Sequence, residues 1–463
     1  MKCLNRVYQE HASKIAIIDA ETEDRISYTG IAALKEALLR LFPQPHGNLI
    51  FLQATNSCFS AATALALLSS NNTICLLDPS LESEIFEKYR STFSPDVIIS
   101  DQLTNTPIVG YNRKPHPNSQ KLYICSIKEN TQRKIPAQLR AILPTSGSTG
   151  SMKFVKLSEE NLSVNSQDIC NSMQISATDR AYAHLPLHYS YGLSVLISHA
   201  LAGATSVVTS SSIIEKRFWR EIKDYNCNYF PGVPFHFEIL LKFGIKRLNI
   251  PSLNRFSVAG GALGEKDQEQ LLEQLSDDMD LYVLYGQTEA SPRITTLNLK
   301  DHANKLGSVG RPIGAGRITI NSDYGEIILI GSNVMMGYAS RREDLYKPDE
   351  MQSRLATGDI GYLDDEGFLY ITGRLKRFAK LYGLRFNMDD IQTRLSFICP
   401  CMVVEKENTL HVAIDRHEMI DQLKLEITEV YKIPGQQVKF HQLNQLPRLS
   451  SDKLDYQALS EMI

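Results

Sequence analysis

Excess charge of either sign is missing from this chain. Its 49 Lys and Arg nearly balance 52 Asp and Glu, for a formal net charge of -3. That gives no general reason to expect nucleic acid or an anionic membrane as partner. Long apolar runs are missing too. None approaches the roughly 20 residues that cross a bilayer. The longest candidate, Phe59 to Ser70, is Ala- and Ser-rich and reads as a buried helix. The opening Met1-Lys2-Cys3-Leu4-Asn5-Arg6 has no apolar run behind it, so no secretory signal is expected. The 8 cysteines are scattered. Cys399 and Cys401 lie close together without a second pair or nearby histidines, so zinc is not expected. Thiols in a reducing cytoplasm are the simpler account. The spacing G-x-x-x-x-G-K-[ST] is absent, which disfavours a P-loop NTPase or a generic kinase.

What is present is an ordinary globular composition over 463 residues, 43% hydrophobic and 22% charged. That length is enough for two or more cores, hence more than one domain. Residues 1 to about 140 alternate helical and strand-like patterns. Ile31 to Leu41 carries apolar residues at helical spacing, Asn48 to Leu52 reads as a buried strand, and Thr73 to Leu77 as a strand ending in the turn Asp78-Pro79. Strand, helix and strand at this spacing predict a parallel sheet with covering helices. Residues 101 to 120, with Asn, Pro and Gly, read as surface connection. Leu306 to Tyr338 read as short strands with glycine turns, as in a small β-barrel.

The most informative stretch is Leu143-Pro144-Thr145-Ser146-Gly147-Ser148-Thr149-Gly150-Ser151-Met152-Lys153. From Thr145 to Gly150 every residue is Thr, Ser or Gly. Ile142 and Leu143 suggest a strand running in. Such a loop can turn backbone N–H groups and hydroxyls toward one anion, and glycine allows close approach. Lys153 adds a point charge suited to phosphate.

This loop resembles the T-S-G-S-T-G-x-P-K loop of the adenylate-forming superfamily, which includes acyl- and aryl-CoA ligases, luciferases and the adenylation domains of peptide synthetases. Met152 stands where the family usually has proline. Further stretches follow in the family's order. Leu281 to Glu289 resembles Y-G-x-T-E. The resemblance implies Tyr285 and Gly286 against adenine, Thr288 on the α-phosphate and Glu289 holding Mg²⁺, a cation satisfied by one or two carboxylates plus phosphate oxygens. Leu185 to Leu193 resembles L-P-L-x-H-x-x-G-L, one wall of the acid pocket, with Tyr189 where the family histidine falls and His188 one residue early. His188, Tyr189, Tyr191, Val233, His236 and Gly260 are the implied acid-pocket residues. Gly261 and Ala262 belong to a glycine turn beside acyl group and adenine. No aspartate lies between Leu185 and Ser194 to hold a substrate ammonium, which argues against a standard α-amino acid. Thr357-Gly358-Asp359 with Gly373-Arg374 implies Asp359 and Arg374 on the ribose hydroxyls.

Lys376 falls on the family's hinge position, where a chain absorbs a large backbone change. Leu446-Pro447-Arg448 leads to Lys453, matching the catalytic lysine, with Asp452 in place of the family glycine. The resemblance covers roughly residues 25 to 460. It implies an α/β fold: a large N-terminal domain, 1–375, of stacked and mostly parallel sheets with helices plus a small β-barrel, and a mobile small α+β C-terminal domain, 376–463. The activity implied is ATP-dependent conversion of a small carboxylic acid to an acyl-adenylate with release of pyrophosphate. The acyl group then passes to a pantetheine thiol, either coenzyme A or the phosphopantetheine of a separate carrier protein. ATP and Mg²⁺ are the implied cofactors. Met152, Tyr189 and Asp452 keep one alternative open, a non-catalytic homologue that binds ATP or acyl groups.

Overall fold

The computed structural model describes residues 1–463 apart from 54, 102–109, 128–132, 145–152, 382–383 and 450–453. The described residues form two compact units. The first is built from Met1–Ser146, Ser151–Arg317 and Ile330–Leu355, the second from Ile318–Leu329 and Ala356–Ile463.

Two sheets organise the first unit. In one, Ser308–Pro312, Arg293–Asn298, Asp280–Gly286, Arg255–Val258, Tyr229–Gly232, Arg180–Ala183, Thr205–Val208, Ile15–Asp19 and Arg25–Ser27 are neighbours in that order. The strands from Asp280–Gly286 to Ile15–Asp19 are parallel. Their carboxyl ends therefore point one way. In the other, the order is Gly337–Ala339, Phe154–Ser158, Leu139–Pro144, Thr73–Leu77, Leu49–Gln53, Val97–Ser100, Ser119–Ile127 and Tyr111–His116. The expected parallel pair is found, with Leu49 opposite Thr73 and Gln53 opposite Leu77.

Helix Cys58–Leu68 has every residue but Phe59 buried. A helix without a polar face must be covered on all sides. The run Phe59 to Ser70 is thus a core helix. Ser57 caps it by accepting from Ser60 N–H.

Residues 101 to 120 are not all connection. Tyr111–His116 pairs antiparallel with Ser119–Ile127 as a hairpin. Pro115 and the Pro117-Asn118 turn hid it. Tyr111–His116 is the last strand in its sheet, and an edge strand tolerates a residue that donates no hydrogen bond on its open side.

In the second unit, Arg354–Leu363 pairs antiparallel with Leu369–Arg374. A smaller core follows, in which helices Met388–Ser396 and Ile420–Tyr431 cover a three-stranded sheet. Cys401–Lys406 and Thr409–Ile414 are joined by Glu407-Asn408, both at positive φ (52° and 58°). This is the two-residue turn whose twist suits a hairpin. Val438–Gln442 adds a parallel third strand. The described residues of 376–463 are thus α+β, as the resemblance implied.

Candidate active site

The candidate residues of the first unit cluster where parallel strands end. In open α/β sheets the crevice beyond the carboxyl ends is where ligands bind. His188 and Tyr189 follow Arg180–Ala183, Val233 follows Tyr229–Gly232, Gly260 to Ala262 follow Arg255–Val258, and Gln287 to Glu289 follow Asp280–Gly286. Gly260 has φ of 88°, a left-handed conformation that suits glycine. A Cβ on Gly286 would lie 2.0 Å from the Pro292 carbonyl oxygen, so glycine is required there for steric reasons. Gly261 and Ala262 are exposed, and Tyr285 is buried just before the turn.

Four contacts tie these stretches together. Thr288 Oγ1 donates to Ser190 Oγ at 3.1 Å, which joins the Tyr-Gly-Gln-Thr-Glu turn to the start of helix Ser190–Leu201. His188 Nε2 lies 3.5 Å from the Asp78 carboxylate. Burial lowers the His188 pKa, and Asp78 opposes that shift. Tyr338 hydroxyl donates to Glu289 Oε1 at 3.0 Å, and Met335 N–H donates to the Glu289 carbonyl at 2.9 Å.

Tyr338 also receives Lys153, whose Nζ is 5.2 Å from the ring centroid. This follows from register, because Tyr338 is opposite Val155 in the pairing of Gly337–Ala339 with Phe154–Ser158. One tyrosine therefore carries the loop lysine on its face and the glutamate at its hydroxyl. Burial, then Glu289, push the Tyr338 phenol up, so it remains a donor at neutral pH. The sequence places Val334 to Tyr338 only among short strands and glycine turns, with no role in the site. The signal was the stretch itself, and its side-chain role became visible only in three dimensions.

The acid-pocket residues divide. Val233 and His236 are buried, and His236 Nδ1 accepts from Val233 N–H at 3.1 Å. Burial holds His236 down at about 4. Tyr191 is buried with its hydroxyl 2.7 Å from Ser257 Oγ, and Tyr229 hydroxyl reaches the same oxygen at 2.5 Å. His188 and Tyr189 are half-buried.

In the second unit, Arg374 Nε lies 2.9 Å from Asp359 Oδ1 across the strand pair, where these residues are in register. Asp359 N–H donates to Thr357 Oγ1 at 3.1 Å. The Thr-Gly-Asp turn and the Gly-Arg end are thus brought together. Lys376 lies in the short turn Leu375–Arg377. Thr145, Ser146, Gly147, Ser148, Thr149, Gly150 and Lys453 lie outside the described residues.

Among the described residues no three His, Cys, Asp or Glu side chains converge as a metal site. Glu289 offers a single partly exposed carboxylate. That donor set fits Mg²⁺, which takes the rest of its ligands from phosphate and water. No described helix is long and apolar enough to cross a membrane.

Residues 4–339 match the family model for the AMP-binding enzyme. The chain is 27% identical over 348 residues to the oxalate–CoA ligase of Saccharomyces cerevisiae, covering 69% of this chain and 62% of that protein. It is 30% identical over 292 residues to the D-alanine–D-alanyl carrier protein ligase of Listeria monocytogenes, covering 57% and 56%. Each match thus spans less than two thirds of the relative. The fold is similar to that of o-succinylbenzoate CoA synthetase from Bacillus subtilis in complex with its acyl-adenylate intermediate. The TM-score is 0.76 at 21% identity, covering 99% of this chain and 97% of that one. The family model spans well over half the chain, and so the chain belongs to the AMP-binding enzymes, the adenylate-forming superfamily that its phosphate loop resembles.

Proposed function

We propose that this protein activates a carboxylic acid with ATP and passes the acyl group to a pantetheine thiol. The observation that carries the reading is the Tyr338 junction, which holds Glu289 by a hydrogen bond and Lys153 by its ring face. A carboxylate and a lysine fixed on one side chain suit a metal–triphosphate group, where catalysis consists mainly of positioning and charge neutralisation. Relatives named as a CoA ligase and as a carrier protein ligase support the same chemistry.

In the first step a carboxylate oxygen attacks the α-phosphorus. The bond to the β-phosphate oxygen breaks and pyrophosphate leaves. Thr288 would donate to the α-phosphate, and the Thr145–Gly150 loop with Lys153 would hold the outer phosphates. Glu289 would hold Mg²⁺, which neutralises phosphate charge when bound. Tyr285, Gly286, Gly261 and Ala262 would take the adenine. Asp359 accepts two donors well and suits a cis-diol, with Arg374 orienting it. Lys453 would bridge the carboxylate and the α-phosphate. In the second step the thiol sulfur attacks the acyl carbon, AMP leaves with the bonding pair, and the thiol proton passes to solvent.

The reading divides the chain into an adenylating part, 1–375, and a part carrying Lys453, 376–463, with Lys376 as hinge. The acceptor is coenzyme A or a separate carrier protein. A cytoplasmic setting goes with this reading, since all eight cysteines are unpaired and seven are buried.

Acid-dependent ATP–pyrophosphate exchange, against a panel of fatty, aryl, hydroxy and amino acids, tests the proposal. Exchange with some acid is expected. None with any acid, while ATP still binds, would return the protein to the non-catalytic alternative. Lys453→Ala should abolish exchange yet spare thioester formation from a supplied adenylate, and Lys376→Pro should do the reverse.

A further inference from the structure

Arg293 is the first residue of strand Arg293–Asn298, opposite Gly286 at the end of the neighbouring strand. Its backbone is fixed on both sides. The N–H donates to Asn165 Oδ1 at 3.0 Å, and the carbonyl accepts from Asn165 Nδ2 at 2.7 Å and Asn333 Nδ2 at 2.9 Å. The residue is 3% exposed. Its guanidinium stands 5.4 Å from the centroid of the Tyr191 ring, beside the apolar cluster that includes Ile169, Val195 and Leu284. Nη1 has no hydrogen-bond partner, and among the described residues no carboxylate pairs with this side chain.

Among the described residues nothing nearby supplies the missing negative charge. Burial pushes the phenols of Tyr191 and Tyr229 up, so both are neutral, and they share Ser257 Oγ. His199, stacked on Tyr229, is held neutral by burial. Asp179 is engaged by Arg255 at 3.0 Å and by Asn228 at 2.7 Å. Arginine cannot shed its proton to escape the low dielectric, as lysine or histidine can. A buried ion without a counter-charge is strongly destabilising. Such a group persists where a bound anion completes it.

Position says which anion. Tyr191 belongs to the segment read as acid-pocket wall. Tyr229 stands three residues before Gly232, and Ser257 three before Gly260. The strand of Tyr229 ends at Gly232, so the Tyr229 side of the Arg293 surroundings lies back from that strand end by roughly 10 Å at about 3.3 Å per residue. The reacting carboxylate must meet phosphate at the strand ends, so an anion at Arg293 sits at the far end of the acid. We propose that Arg293 binds a second carboxylate on the acid substrate, so that the enzyme activates a dicarboxylic acid at the carboxyl remote from Arg293. Arg293 is then a specificity residue. It rewards a distal carboxylate over a distal methyl or ammonium group. This inference rests on the proposed acid-activating function.

The test pairs acids of equal length: succinic with butyric, glutaric with valeric, adipic with hexanoic. Exchange is measured with the wild type and Arg293→Gln. At least one diacid should exceed its monoacid partner, and Arg293→Gln should cost that diacid about 10²-fold in kcat/KM. The monoacid rate should stay within about threefold. Equal losses on both acids, or a wild type that prefers every monoacid, would overturn the assignment. If the wild type exchanges with no acid, the activity fails, and Arg293 is still tested by thermal melting with the same acids. A diacid that raises the melting point of the wild type but not of Arg293→Gln supports the anion site. No difference between the proteins refutes it. Arg293→Met, with no ligand added, should melt no lower than the wild type, whereas a clear fall would mean a structural arginine.

Discussion

Arg342 is 7% exposed and Arg293 is 3% exposed, both in the first unit. Arg342 Nη2 meets Asp96 at 2.9 Å and its Nη1 donates to the carbonyls of Phe93 and Ser94. Arg293 meets no described carboxylate. Arg140 follows the first pattern, with Glu159 at 2.8 Å, and so does Arg255 with Asp179. Away from the strand ends, buried cations are closed against carboxylates of the chain itself. Beside Tyr191 and Tyr229, among the described residues, one is left open. The difference teaches where to look for a ligand. A scaffold gains nothing from an uncompensated charge, whereas a binding site can hold one in store for an anion.

Buried bases that can lose a proton mark the outer limit of this comparison and give the largest expected effect. Burial lowers His116, His199 and His236 to about 4 each. Each folded value lies below the usual 6.5. Between those values the unfolded chain binds more protons, so stability is full above about pH 6.5 and is lost as pH falls toward 4. A shift of this size corresponds to about 3 kcal/mol per histidine. Urea unfolding at pH 7.5 and pH 5 should show a marked loss at the lower value. A flat profile would mean that these histidines are charged in the fold, and that burial here does not enforce neutrality.

Next in size is the closed pair. Asp96 is fully buried, its Oδ2 accepting from Leu49 N–H at 2.7 Å as well as from Arg342. Burial raises its pKa and Arg342 opposes the rise. Asp96→Ala strands Arg342 and should cost about 3–5 kcal/mol of stability. Activity per folded molecule should not change. If Asp96→Ala is tolerated as well as Arg293→Met, the two arginines are not different in kind and the contrast collapses.

At the open site the sign reverses, with activity lost and stability kept. Glu289→Gln retains an oxygen for the Tyr338 hydroxyl but loses the charge. Exchange should fall by about 10²-fold or more with an unchanged melting point. A melting point that falls with the rate would make Glu289 a packing residue.

These contrasts were unevenly legible in the sequence. Stretches with their own local chemistry read well. Tyr285 to Glu289 stands out by its resemblance to the family's Y-G-x-T-E, an aromatic, a glycine, a hydroxyl and a carboxylate close together, and the run Phe59 to Ser70 reads as a buried helix, found at Cys58–Leu68. The sequence pattern predicts a helix over Met388 to Leu395 and strands over Cys401 to Glu405 and Leu410 to Ile414, and helix Met388–Ser396 and strands Cys401–Lys406 and Thr409–Ile414 lie within a residue of those bounds. Facts that depend on a distant partner were not legible. Asp78 read as a turn residue, and its 3.5 Å approach to His188 joins segments some 110 residues apart. Arg293 gave no signal at all, because an arginine is buried or exposed according to what the fold lays over it. Tyr338 lies between these cases, since its stretch was recognised but not its hydroxyl.

The smallest effect is expected at the second unit's arginine, which is neither buried nor open. The Arg374 side chain is 66% exposed, against 7% for Asp359, and the two meet at 2.9 Å. A largely exposed pair of this kind contributes at most about 1 kcal/mol to stability. Its backbone N–H donates to Asp389 Oδ2 at 3.0 Å, a bond that any side chain leaves intact. Arg374→Ala should therefore barely move the melting point. If Arg374 orients Asp359 for a ribose, the KM for ATP should rise several-fold while kcat stays near the wild-type value, the pattern of lost uniform binding. Asp359→Asn removes the acceptor itself and should raise KM further. An Arg374→Ala protein with an unchanged KM for ATP would leave the pair as a strand-end contact, and would confine the open charges to the first unit.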